Sequence, residues 1–197
     1  YPNLLGLALL PAPLGLAVQG LRLGATQWVA PWLAWCLFLA SLPGLILAHP
    51  NTVMTLTAVL IPMVLVFAFR RIVAVRDKSA SVVSLVATLV GTTLFLIAVN
   101  SLWRVVRPDE AAATWPPLMT VPQAFGEALL NAPAGARAIW VPSLLVVVGL
   151  VSARRERTGG LALGWVVLVF LWLVVSAWEP SPLRTFYTGI WYNDPWR

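Results

Sequence analysis

The chain has 197 residues, 60% of them hydrophobic and only 10% charged, with a net charge of +6 and a mean hydropathy of +0.86. A water-soluble domain carries about a quarter charged residues. There is too little polar side chain here to cover a surface facing water, so the solvent must be lipid. The positive balance does not make a nucleic-acid binder, because no basic patch is interleaved with exposed aromatic residues on a polar face.

The fold class expected is all-α: a polytopic integral membrane protein of about six transmembrane helices, with spans near 3–21, 28–47, 52–69, 82–103, 139–152 and 160–178. Residues 1–178 form the helical bundle, 104–138 a long outer loop carrying a short interfacial helix, and 179–197 an aromatic and polar tail on the outer face. The first run holds Pro11 and Pro13, which kink a helix and leave carbonyls for its neighbours to satisfy. The second is broken at Pro31 and Pro43 and holds Cys36, the one cysteine, read as a small buried hydrophobe.

Between the second and third runs stands Ala48-His49-Pro50-Asn51. His49 is the only histidine, Pro50 pushes it out of helical geometry, and Asn51 is a good residue for starting the next helix. This is a tight turn that places a titratable ring and an amide at the membrane surface. The third run contains Pro62 and ends in Arg70, Arg71, Arg76 and Lys78; the fourth has Asn100 near its end. In the loop that follows, Val121-Pro122-Gln123 starts a short amphipathic helix. Phe125, Leu129 and Leu130 fall on one side of it, and Gln123, Glu127 and Asn131 on the others. The fifth run ends in Arg154, Arg155 and Arg157, and the sixth leads into the tail.

Basic residues in short loops mark the cytoplasmic side. The clusters after the third and fifth runs are separated by an even number of crossings, and Arg22 falls with them. The His49 turn, the 104–138 loop and the tail then lie on the outer face of the plasma membrane. Trp28, Trp103, Trp140, Trp178, Trp191 and Trp196 fall near span ends, at headgroup level.

No Gly-rich phosphate loop, zinc spacing, Ser-His-Asp set or nucleophile elbow occurs, and no metal site or named cofactor is expected. The chemistry-bearing residues gather on the outer face: His49, Asn51, Arg104, Arg107, Asp109, Glu110, Arg184 and the ring-rich tail with Trp191, Tyr192, Asn193, Asp194 and Arg197. Rings stack on sugar faces, amides and carboxylates hydrogen-bond hydroxyls, arginine takes phosphate, and a carboxylate near a hydroxyl acts as a general base. Each also has a plainer reading: a turn histidine, solvated loop carboxylates, an aromatic belt, or a helix start at Asn193-Asp194-Pro195.

Two motifs, LILAHPNTVMTL at 45–56 and TFYTGIWYNDPWR at 185–197, resemble a family of large actinobacterial polytopic membrane proteins of unassigned function. The opening YPNLLGLALLPAP resembles the middle of such a protein, so the chain reads as an internal piece. The overall plan is similar to the membrane glycosyltransferases of the C superfamily, which take sugars from polyprenyl-phosphate donors on the outer face. The resemblance implies His49 and Asp194 as catalytic positions. It implies Asn51, Trp191, Tyr192, Asn193 and Arg197 as substrate-binding ones. The usual catalytic carboxylate of such enzymes would lie upstream of Tyr1.

The function expected is therefore part of a glycosyltransferase-like membrane protein that uses a lipid-linked sugar in building the cell envelope. Its partners would be membrane lipid and a polyprenyl-phosphate sugar. The alternatives are a non-catalytic subunit with a partner protein and a lipid transporter. Ion-driven transport usually needs ionisable residues in mid-membrane, and the runs hold none. Impermeant-thiol labelling tests the topology: with Cys36 replaced by Ala, a cysteine at Ser79 should react only after the cell is opened. One at Ala112 should react in intact cells, and the opposite pattern would invert the orientation.

Overall fold

In a computed structural model of the chain, residues 2–24, 26–106, 115–132, 137–155 and 158–188 are described. Among them there is helix but no strand. The order is α1 (Pro2–Leu9), α2 (Pro11–Gly20), α3 (Pro31–Ala48), α4 (Pro50–Arg76), α5 (Val82–Val106), α6 (Val121–Leu130), α7 (Trp140–Arg155), α8 (Gly159–Ala177) and α9 (Pro182–Thr188). Four of these, α3, α4, α5 and α8, are long and apolar enough to cross a membrane. The first and fifth apolar runs form shorter helices, apolar over Leu5–Gly20 and Trp140–Ala153. α1 and α2 are one kinked rod: Leu10 keeps helical dihedrals, the Leu10 and Leu14 amides bridge the joint, and Pro11 and Pro13 lack the donors that would straighten it.

α4 does not stop where its apolar run stops. Arginine is a good helix former, so the 27-residue helix continues through Arg70 and Arg71 to Arg76. Its length of about 40 Å exceeds a hydrocarbon core of about 30 Å. What ends it is backbone geometry. Lys78 takes a left-handed φ of 57°, and the Ser79 and Ala80 amides fold back onto the Ala74 carbonyl. Arg22 ends α2 in the same way, with φ 53°.

α4 is the centre of the bundle. α8 lies on it through Gly160 and Gly164, one turn apart. A Cβ on Gly160 would stand 2.8 Å from the Met63 Cα, and one on Gly164 2.8 Å from Val59 Cγ1 and 3.2 Å from its Cα. Small residues at this spacing let two backbones approach closely in a membrane. Because Met63 meets Gly160 and Val59 meets Gly164, the two helices run antiparallel. α3 packs on α4's other side, with Leu45, Leu56, Leu60 and Phe38 in the core, and Gly20 brings α2 onto the Trp35 ring. Among the described residues α5 lies closely along α4, touches α9 through Trp103 and Phe186, and buries no described side chain. Val86, Val90, Leu94 and Ile97 stay exposed along it, as do Leu37, Leu39 and Ile46 along α3. Apolar surface turned outward on long helices is what a lipid solvent permits. Cys36 belongs to this exterior: it is exposed on α3, not buried as expected from its apolar neighbours.

A larger residue at the glycine contact must push α8 off α4. Gly164→Leu should lower stability in detergent by about 1–3 kcal/mol, read from the unfolding midpoint. Gly149→Leu, at a position with open space around the Cα, should leave it unchanged.

Candidate functional site

The antiparallel contact puts the start of α4 and the end of α8 at the same end of the bundle, and the basic ends of α4 and α7 at the other. His49 is the joint between α3 and α4. Its backbone is extended (φ −169°, ψ 123°), its N–H closes α3 on the Leu45 carbonyl, and Pro50 follows as the first residue of α4. The ring caps α4: Nδ1 accepts the Asn51 N–H at 3.2 Å. An accepting Nδ1 implies the neutral ring with its proton on Nε2. The free edge of His49 therefore offers a donor rather than a base. α1 crosses directly over this turn, since a Cβ on Gly6 would strike the Thr52 hydroxyl. Asn51 and His49 are both half-buried there.

At the same end, the C-terminal carbonyls of α8 organise the segment around Trp115. The Trp115 indole donates to the Val175 carbonyl at 3.2 Å, and the Leu118 and Met119 amides donate to that of Ser176 at 2.8 and 3.3 Å. Arg184, the second residue after Pro182 in α9, is fully buried. Its guanidinium donates to the carbonyls of Trp115 (2.8 Å) and Val175 (3.3 Å) and lies 4.8 Å from the Trp115 ring centre. Burial pushes its pKa below the ordinary arginine value, and the charge of Glu179 pulls it back up. A side chain expected to meet a lipid phosphate is thus built into the fastening of the loop.

α6 follows from a Thr120 cap and ends at Asn131 in the left-handed region, whose amide donates to the Ser143 hydroxyl of α7 at 3.0 Å. Ala124 and Glu127 face inward, where the Trp172 indole of α8 reaches the Ala124 carbonyl at 3.0 Å. Val121, Phe125 and Leu129 point outward, so the apolar side is the exposed one.

Two cavities flank α5. On the α3 side an apolar groove of about 810 Å³ is floored by α4 from Val53 to Phe67 and walled by α5 from Ala87 to Leu102, a run of about 20 Å along the helices. On the α8 side a cavity of about 310 Å³ lies between Met54, Ala58 and Ile61 of α4, Asn100 and Trp103 of α5, and Leu171 of α8, with Phe186 of α9 over it. Thr57, Val99 and Leu102 line both. Both volumes fall in the range of small-molecule sites, and both are hydrocarbon-lined with few polar groups.

Of the expected site residues, His49, Asn51, Arg104 and Arg184 are brought to one end, but His49 and Asn51 line neither cavity. Arg104 is exposed in the last turn of α5. Arg107, Asp109, Glu110, Trp191, Tyr192, Asn193, Asp194 and Arg197 lie outside the described residues. The residues that sequence reasoning passed over as site-formers are Thr57, Trp103 and Phe186. The Trp103 indole donates to the Phe186 carbonyl at 2.9 Å, and the two rings meet edge to face. The available signal was the Asn100, Trp103, Arg104 spacing, which puts all three on neighbouring positions of one helical face.

Four helices long and apolar enough to cross a membrane, with apolar exteriors and packing through small residues, are consistent with a helical integral membrane protein. The chain belongs to the family of unknown function DUF6541, whose model matches residues 1–197. Neither the curated proteins nor the solved structures contain a match to it.

Removing the buried guanidinium leaves polar backbone behind. Arg184→Met should destabilise the protein by about 1–3 kcal/mol for each carbonyl stripped of its partner. Hydrogen exchange at the Leu118 and Met119 amides should accelerate, while exchange in the middle of α4 stays slow.

Proposed function

We propose that this chain is part of a glycosyltransferase-like membrane protein that uses a polyprenyl-phosphate-linked sugar on the outer face of the plasma membrane in building the cell envelope. In this reading the chain crosses the bilayer six times, with the two short apolar helices completing the count, and the His49 end faces outward. The observation that carries the proposal is the pair of hydrocarbon-lined clefts that run along α5, a helix apolar enough to cross a membrane, toward its Arg104 end. A lipid-tailed substrate fits such clefts; a soluble one does not.

The sugar half of the proposal rests on the two motifs and on the ring-rich tail. Arg104 and Arg107 meet the lipid phosphate, Trp191, Tyr192 and Asn193 hold the sugar, and Asp194 takes the proton of the acceptor hydroxyl. His49, with its Nε2–H directed outward from the cap, positions that hydroxyl as a donor. Asn51, Asp109, Glu110 and Arg197 contact the substrate, and Arg184 serves by fastening the Trp115 segment beneath them. A non-catalytic subunit is the second reading. It is favoured by α5, which buries no side chain and offers a full-length face to a partner.

Transfer from a polyprenyl-phosphate sugar, assayed in the full-length protein, separates them. Asp194→Asn and His49→Ser should each lower the rate at least about a hundredfold. Serine keeps the helix cap, so His49→Ser should leave the unfolding midpoint within about 1 kcal/mol of the parent. Unchanged rates in both variants would remove these residues from the chemistry.

A further inference from the structure

The clefts on the two flanks of α5 are not equivalent. The groove on the α3 side is lined by hydrocarbon apart from the Trp35 indole and threonine hydroxyls such as that of Thr88, which is donated to the Ser84 carbonyl at 2.8 Å. The cavity on the α8 side holds an amide, Asn100, and among the described residues that side chain makes no hydrogen bond. It is exposed, near the end of a helix apolar enough to cross a membrane. A bare amide is costly there, and polar groups so placed mark ligands or pathways. Thr57, which also lines the cavity, makes no hydrogen bond to it; its hydroxyl is donated to the Val53 carbonyl at 2.8 Å.

The surroundings say what the amide would meet. Below it the walls are hydrocarbon: Ala58, Ile61, Pro62 and Leu96. One turn beyond it on the same face is Arg104, exposed in the last turn of α5. Above it lies α9, fixed by buried Arg184 and latched to α5 by the Trp103 indole on the Phe186 carbonyl. Among the described residues α5 and α8 do not approach each other closely at the backbone, and the cavity lies between them. Hydrocarbon, then an amide donor, then a cation, in that order toward the end of the bundle, is the order of groups in an anionic lipid: chain, phosphate oxygen, charge.

We propose that the α8-side cavity seats the phosphate end of a phosphorylated lipid. Asn100 Nδ2 donates to a phosphate oxygen, Arg104 balances its charge, the first part of the chain lies against Ala58 and Ile61, and the remainder leaves between α5 and α8. The inference rests on the reading that this protein handles a lipid phosphate, and adds which cleft receives it and through which residue.

The test is binding of polyprenyl phosphate, polyprenol and phosphatidic acid to the full-length protein in nanodiscs, read by native mass spectrometry. Asn100→Leu, an apolar change that a membrane helix accepts, should weaken polyprenyl phosphate about tenfold or more and leave polyprenol unchanged. Ala58→Phe, which fills the cavity, should weaken both. Thr88→Trp, which fills the other groove, should affect neither. Phosphatidic acid binding with the same dependence on Asn100 would support a seat for phosphorylated lipids in general and tell against a polyprenyl-specific one. Wild-type affinity for polyprenyl phosphate in Asn100→Leu, or a loss confined to Thr88→Trp, would overturn the proposal. Asn100-dependent binding without sugar transfer would keep the site and remove the transferase reading; transfer with Asn100-independent binding would do the reverse.

Discussion

Inside a bilayer, burying apolar surface between two helices gains little, because lipid tails are as apolar as the helix they leave. Association must come from close packing, and between α8 and α4 it comes through Gly160 and Gly164 against Met63 and Val59. That contact selects both the neighbour and the register. It makes α8 antiparallel to α4 and so brings the C-terminal carbonyls of α8 to the end where α4 begins. Everything polar at the His49 end hangs from this: had α8 met α4 one turn further along, the Trp115 segment and α9 would have been carried about 5 Å away from the α4 start.

The second layer of the structure follows from an obligation of helix ends. The last carbonyls of an α-helix have no partner within it, and those of Val175 and Ser176 are buried. Their partners come from far along the chain: the Trp115 indole, the Leu118 and Met119 amides, and the guanidinium of Arg184. Arginine suits this place. Its planar fork reaches two carbonyls at once and its face lies on an indole, and it stays charged even where burial disfavours charge. A lysine in the same position would supply one point charge and no stacking surface.

Much of this was open to reading from residue types alone, and the rest was not, for a consistent reason. Composition reports the solvent, so the helical membrane class and the apolar segments are visible in it. The clusters at Arg70–Arg71 and Arg154–Arg155 lie at one end because apolar helices alternate direction, which a count of runs captures. Hydropathy does not report where a helix stops, and α4 accordingly runs past its apolar segment to Arg76. Nor does it report which neighbour a residue meets. Gly160 reads in sequence only as a helix start, and its role as a contact depends on Met63, far earlier in the chain. Arg184 shows the same limit from the other side. An arginine beside aromatic residues at a span end has the sequence signature of a phosphate ligand, and only the position of the Trp115 and Val175 carbonyls identifies it as a fastening.

α5 is where packing and function meet. A helix supported along one edge divides the space around it, and width gained on one flank is taken from the other. Because α5 lies mainly along α4, its tilt sets the groove beside α3 and the cavity beside α8 together, with Thr57, Val99 and Leu102 at the shared edge. A polar tie across the α8 flank is the Trp103 indole on the Phe186 carbonyl. It sits at the His49 end, where the cavity is covered by α9, and leaves the lower part of α5 held by apolar contact alone. For a lipid seated as proposed above, entry between α5 and α8 would meet the least resistance low in the cavity and the most at its covered end, which would stop it with its polar end beside Asn100.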